Sequence, residues 1–152
     1  MNILFKRLDK HQAIPYDLLL LADPNKALVD EYLSRGVCLL AFIENEMVGE
    51  FVLINTRPQT VEIVNIAVKE EHQGRGIGKA LVFKAIEEAN TLNAKTIEIG
   101  TGNSGFKQMK LYQKCGFRIV GVDRDFFLRN YDVELFEEGI QIIDMVRLSR
   151  EL

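Results

Sequence analysis

Residues 72–79 read HQGRGIGK. Three glycines alternate at 74, 76 and 78, with Gln73 and Arg75 among them and Lys79 behind. The preceding VEIVNIAV (61–68) reads as a strand, with aliphatic side chains at every even position after Glu62. The following Ile77, Leu81, Val82, Ala85, Ile86 and Ala89 recur at helical spacing to about residue 91. A strand, a glycine turn and a helix therefore follow one another directly. The first N–H groups of such a helix lack internal partners, and the helix dipole adds partial positive charge there. Glycines allow an anion close to the backbone. Alternating glycines at a helix entry lose up to about 1 kcal/mol each in helix propensity, more than a plain turn requires. The stretch reads as a phosphate site.

Two common nucleotide loops fail on spacing. The dinucleotide pattern G-x-G-x-x-G, started at Gly74, needs glycine where Lys79 stands; started at Gly76, it needs glycine at Leu81. The pattern G-x-x-x-x-G-K-[ST] finds Gln73 in its first position and Ala80 in its last.

Working outward, residues 2–9 alternate as a strand. Pro15 and Pro24 each suit the first turn of a short helix, the second running over about 24–34 before Gly36. GVCLLAFIE (36–44) and MVGEFVLINT (47–56), separated by Asn45-Glu46, predict a hairpin. TIEIGTG (96–102) is a strand, residues 105–115 a helix ending at Gly116, and FRIVGV (117–122) a strand. GIQIIDMVRL (139–148) is the last strand. The order predicts one α/β layered domain over 1–152: a mixed, mostly antiparallel central sheet flanked by helices.

Composition narrows the partners. Nineteen Lys and Arg against 22 Asp and Glu give a net charge of −3, without the basic field of a nucleic-acid binder. The apolar run LLLLA (18–22) is far too short for the roughly 18 residues of a membrane span. The N-terminal MNILFKRLDK lacks the apolar stretch of a secretory signal. Cys38 and Cys115 sit in apolar or helical patterns and read as packed thiols, so the expected location is cytoplasmic. The apolar IQIIDMVRL could also pair across a homodimer.

Gln73-Gly74-Arg75-Gly76-Ile77-Gly78 resembles the acetyl-coenzyme A loop of the Gcn5-related N-acetyltransferases. VNIAVKEEH (64–72) is similar to that family's fourth strand, and NSGFKQMKLYQKCGFR (103–118) to its Asn…Leu-Tyr…Gly-Phe segment. The resemblance implies the family's fold and acetyl-CoA as cosubstrate, with no metal. By resemblance, the fourth and fifth strands splay and take the pantetheine arm between them. Backbone groups of Ile66, Ala67 and Val68 would bond that arm, and Gln73, Gly74, Arg75, Gly76, Ile77, Gly78 and Lys79 would hold the pyrophosphate. Asn103 would touch the arm from the other side, and Tyr112 would stand near the sulfur. Asn103 and Tyr112 lie nine positions apart, two more than the family pattern, and Ser104 to Lys107 take up the extension.

The implied reaction sets the remaining requirements. An alkyl amine, with a pKa of roughly 10.4, is protonated at neutral pH and needs a base before it can attack a thioester. The leaving thiolate needs a proton, for which Tyr112 is the candidate acid. Glu98 on the fifth strand is the first candidate base, by resemblance to the ribosomal-protein branch of the family, and Glu62 the second. The acceptor is expected to be a primary amine, either a small amine such as a polyamine or an aminoglycoside, or a peptide N-terminus or lysine, and the sequence does not choose among them. Asp123, Asp125, Asp132, Glu134, Glu137 and Glu138 could attract it, and Phe126, Phe127 and Tyr131 could wall its apolar part. A long solvated loop with core aromatics is the plainer reading of that stretch. A non-catalytic acyl-CoA sensor and an interaction module are the alternatives to an enzyme.

Overall fold

The computed structural model describes all 152 residues. Seven strands form one mixed sheet in the spatial order β1 (Leu4–Arg7), β2 (Val37–Ile43), β3 (Glu46–Arg57), β4 (Thr60–Val68), β5 (Thr96–Gly102), β9 (Met145–Glu151) and β6 (Arg118–Asp123). Only the β4–β5 pair is parallel. Helices α1 (Tyr16–Ala22) and α2 (Lys26–Arg35) cover one face; α3 (Ile77–Thr91) and α4 (Phe106–Lys114) cover the other. Leu81, Val82, Ala85 and Ala89 of α3 are fully buried against Phe51, Ile97 and Ile99 of the sheet. Leu19 and Val29 pack with Leu40 and Val52 on the α1–α2 face.

Most predicted elements form, with physical reasons for the differences. The hairpin turn is Glu44-Asn45, not Asn45-Glu46: both residues have positive φ, 49° and 69°, as a two-residue turn matched to the strand twist requires. The stretch 122–139 is not a long loop. It forms α5 (Phe126–Asn130) and opens the small hairpin of β7 (Phe136–Glu137) and β8 (Ile140–Gln141). Residues 139–148 are not one strand, because Ile142 to Asp144 leave the ladder. The Ile142 N–H donates to the Leu135 carbonyl, and the Ile143 carbonyl accepts from the Phe127 N–H. β9 lies between β5 and β6, so both its edges are filled and it cannot pair across a dimer.

The sheet's central irregularity is in β4. Val52 and Leu53 of β3 face Asn65 and Ile63, so Val64 is an extra residue, a β-bulge. Before it, Val61 and Ile63 face α3; after it, Ile66 and Val68 do. Val64 and Asn65 both face α1–α2. The even positions therefore do not share a face, as strict alternation predicts. Pairing of β4 with β5 stops at Ile63–Ile99, one residue before the bulge, and the two strands part.

Glu50 is fully buried on β3, opposite Leu40, and neither carboxyl oxygen has a partner. Burial pushes its pKa well above 4.5. The folded state favours the protonated form, so this stability is fully present below the ordinary 4.5 and is lost as pH rises through the raised folded value. Glu50→Gln keeps the shape and removes the titration. Thermal melts should show the variant above the wild type near neutral pH by a few degrees, about what 1 kcal/mol gives in a domain of this size, with the gap closing in acid. A gap independent of pH would contradict a neutral buried Glu50.

Candidate active site

The parted strands leave backbone groups unused along β4. The Val68 carbonyl accepts from Gln73 Nε2 at 3.0 Å and so points away from β3. By the two-residue alternation of a strand, the N–H and C=O of Ile66 point the same way, into the gap. Ala67 pairs with Glu50 of β3 and its side chain is buried, so neither its backbone nor its side chain faces the gap. The expected contact through Ala67 is thereby corrected.

Beyond Val68 a short 3-10 turn (Glu70–His72) leads into the glycine loop. Gly74 and Gly76 have φ of 78° and 84°, and a side chain at either would point into open space. The N–H groups of Gly74, Arg75, Gly76, Ile77, Gly78 and Lys79 donate to no acceptor in the protein. Six free donors at a helix entry form a cradle for a phosphate-bearing ligand. The Ile77 side chain is 1% exposed in the core, so only its backbone can serve. Gly78 lets α3 approach Leu111 and Val68 closely. Arg75 contacts His72 Nδ1 at 2.8 Å, and His72 Nε2 contacts Glu46 at 3.0 Å. His72 is held in this chain beside the loop, not free in solvent.

A cavity of about 480 Å³ opens where β4 and β5 part and runs toward α1–α2 and α5. Tyr112 and Glu62 border it, and Glu98 does not. The Tyr112 residue is 5% exposed, its hydroxyl makes no hydrogen bond to the protein, and burial holds its pKa above the usual phenol range. Its place is set by the end of α4. Gly116, at φ 91°, ends the helix; the Phe117 N–H donates to the Tyr112 carbonyl at 3.0 Å; and the Phe117 ring packs against Tyr112 at 6.3 Å. Glu62 is raised above 4.5, first by burial, and Arg147 at 4.0 Å works against that shift. Glu98 pairs with Arg57 and accepts from Thr56 Oγ1 at 3.3 Å. Cross-strand registry puts the two glutamates side by side, but only Glu62 reaches the cavity.

Asn103 is not at the cavity. Its Oδ1 accepts from the N–H groups of Ile143 and Asp144 at 2.8 and 3.1 Å, and its Nδ2 donates to the Gln141 carbonyl at 3.1 Å. The break between β8 and β9 frees those backbone groups, and Asn103 occupies them. Both ends of its amide are thus engaged within the protein, clamping the segment between β8 and β9. Of the acidic residues after 122, only Glu137 borders the cavity, with Phe126, Phe127 and Tyr131; Asp123 is bound by Arg129 and Arg147. A wider groove of about 830 Å³ beside Cys115, Arg118 and Arg150 contains neither Tyr112 nor either glutamate. Both thiols are free and buried.

The acetyltransferase (GNAT) family model matches residues 7–117. The chain belongs to that family. It is 64% identical over 137 residues to the uncharacterized N-acetyltransferase YvbK of Bacillus subtilis, covering 90% of this chain and 88% of that one. A Bacillus subtilis acetyltransferase solved in complex with CoA has 58% identity and a TM-score of 0.94, with 99% of each chain covered. A GNAT family acetyltransferase from Elizabethkingia anophelis, solved with acetyl-CoA bound, has 46% identity and a TM-score of 0.98, again with 99% of each covered. The splayed strands and glycine loop described above are thus those of an acetyltransferase. No helix is long and apolar enough to cross a membrane.

Sequence reading missed Asp23, Tyr32 and Asn65, which also line the cavity. The one available signal was Asn65, a lone amide inside an aliphatic strand. The clamp role of Asn103 has a direct test. Asn103→Ala leaves two backbone N–H groups short of their acceptor and should lower stability by about 1–3 kcal/mol. Hydrogen exchange should speed up at the Ile143 and Asp144 amides; unchanged exchange there would remove the clamp.

Proposed function

We propose that this acetyltransferase uses acetyl-CoA as donor and a primary amine as acceptor, by direct attack within a single catalytic domain. The observation that carries this reading is the convergence of Tyr112 and Glu62 on one cavity, beside the unpaired edge of β4. Bound acetyl-CoA supplies an activated acyl group. The free N–H groups of Gly74 to Lys79 take the pyrophosphate, with Arg75 and Lys79 adding charge. The backbone of Ile66 and Val68 holds the pantetheine arm, which fills the missing partner strand of β4. No residue of this scheme requires a metal ion.

Each side chain then has one task. Glu62, directly or through water, accepts the proton of the amine, whose lone pair forms the new C–N bond at the thioester carbonyl. A gap-facing N–H of β4 stabilises charge on the carbonyl oxygen. As the C–S bond breaks, the Tyr112 hydroxyl donates its proton to the leaving sulfur. The raised pKa of Tyr112 keeps that proton in place at neutral pH. The raised pKa of Glu62 brings the base nearer the operating pH. An acyl-CoA sensor would need neither group at the cavity. The net charge of −3 gives no attraction for nucleic acid, and the two reduced thiols suit a cytoplasmic enzyme.

Release of free thiol from acetyl-CoA in the presence of amines tests transfer itself; acetyl-CoA binding without release would leave only the sensor. Tyr112→Phe should lower kcat by about 10²-fold or more with little change in acetyl-CoA affinity. Near-normal turnover would sink its role as acid. For Glu62, activity should fall as pH drops through its raised pKa, because the carboxyl becomes protonated. Glu62→Gln should lose both turnover and that acid limb, whereas Glu98→Gln should keep the limb. The opposite result would return the base to Glu98.

A further inference from the structure

Beyond Glu62 the cavity ends at Asp23, Tyr32, Asn65 and Tyr131. Asp23 is 8% exposed and is met only by neutral donors: the Tyr131 hydroxyl at 2.8 Å, the Tyr32 hydroxyl at 3.1 Å and the Asn25 N–H at 3.1 Å. Asn65 is 2% exposed, and its Nδ2 donates to the Leu19 carbonyl at 3.0 Å and to the Tyr32 oxygen at 2.8 Å. A carbonyl can only accept, so this contact fixes which end of the amide is which. Asn65 Oδ1 is left buried with no partner. Buried acceptors in native proteins are normally paired, and Asn65 is one of the residues lining the cavity.

The charge around it has one sign. Asp23, Glu62 and Glu137 border the cavity, and no Lys, Arg or His does. Arg147 reaches Glu62 at 4.0 Å but is shared with Asp123. The rings of Tyr32, Phe126 and Phe127 add apolar walls whose faces also attract cations. A carboxylate-bearing acceptor would meet three carboxylates, with the nearest cation, Arg147, already engaged by Glu62, Asp123 and the Phe126 ring.

The structure assigns this end of the cavity to a second ammonium group, so that the acceptor is a primary diamine or polyamine. The assignment rests on the transfer reading above. One nitrogen reacts beside Glu62 and Tyr112. The other donates to the Asp23 carboxylate, beside Asn65 and its unpaired Oδ1. Glu62 and Asn65 stand three positions apart on β4, roughly 10 Å at about 3.3 Å per residue, within reach of a six-carbon diamine.

The test compares hexamethylenediamine with hexylamine, on the full chain and on Asp23→Asn. Asparagine keeps the shape and an oxygen to accept from Tyr131 and Asn25. Thiol release should give the wild type a kcat/KM at least about ten-fold higher for the diamine, and Asp23→Asn should bring that ratio close to one. Equal values for the two amines in the wild type overturn the assignment. So does a variant that lowers both amines by the same factor, which marks a folding role. Failure of the transfer reading looks different, since neither amine would release thiol. Calorimetry still decides the subsite in that event: the diamine binds about ten-fold more tightly than hexylamine, or the assignment falls.

Discussion

One extra residue in β4 organises the molecule. With Val64 bulged, β4 cannot continue alongside β5, and the sheet opens at its only parallel seam. A strand edge inside a sheet is a row of unpaired donors and acceptors, which water or another chain would otherwise occupy. Here the edge lies inside the fold, beside the start of α3 and its free N–H groups. A ligand with an amide-bearing arm and a pyrophosphate answers both at once. The bulge also turns Asn65 toward α1–α2 while leaving Glu62 at the cavity.

The second organising feature is the end of α4. Gly116 takes a φ of 91° that a side chain would resist, and this closes the helix tightly enough for Phe117 to pack behind Tyr112. The phenol is thereby held between core and cavity. Across the cavity, α5 is tied to the segment between β8 and β9 by the Phe127 N–H bond to the Ile143 carbonyl and the Asp125 N–H bond to the Asp144 carboxylate, and Asn103 in turn fixes that segment. Asn103, which does not line the cavity, thus helps fix the α5 side of it through two hydrogen-bonded links.

Local patterns carried much of this into the sequence. The helical period of Ile77 to Ala89 and the positive-φ glycines at 74, 76 and 116 are legible because backbone sterics act within a few residues. The two-residue hairpin was legible to within one position. The partners of Asn103 were not legible, because residues 141, 143 and 144 lie about forty positions away. Ala67 was misread because a bulge cannot be seen in a run of aliphatic residues: shifting the face by one leaves the composition unchanged. Resemblance alone places Glu98 ahead of Glu62, since both are glutamates on neighbouring strands and no local pattern separates them. Arg57 on a third strand separates them.

By itself the sequence determined the kind of protein: the loop, the Leu111-Tyr112 pair and Gly116-Phe117 carry the family resemblance, since each acts through its own stretch of backbone. Only the tertiary structure decided which glutamate meets the cavity, and what waits at its far end. That end joins Asp23, Tyr32, Asn65 and Tyr131, which no period or spacing connects. Their common environment exists only when α1, α2, β4 and the segment after α5 come together. The charge of a site is a property of everything that surrounds it.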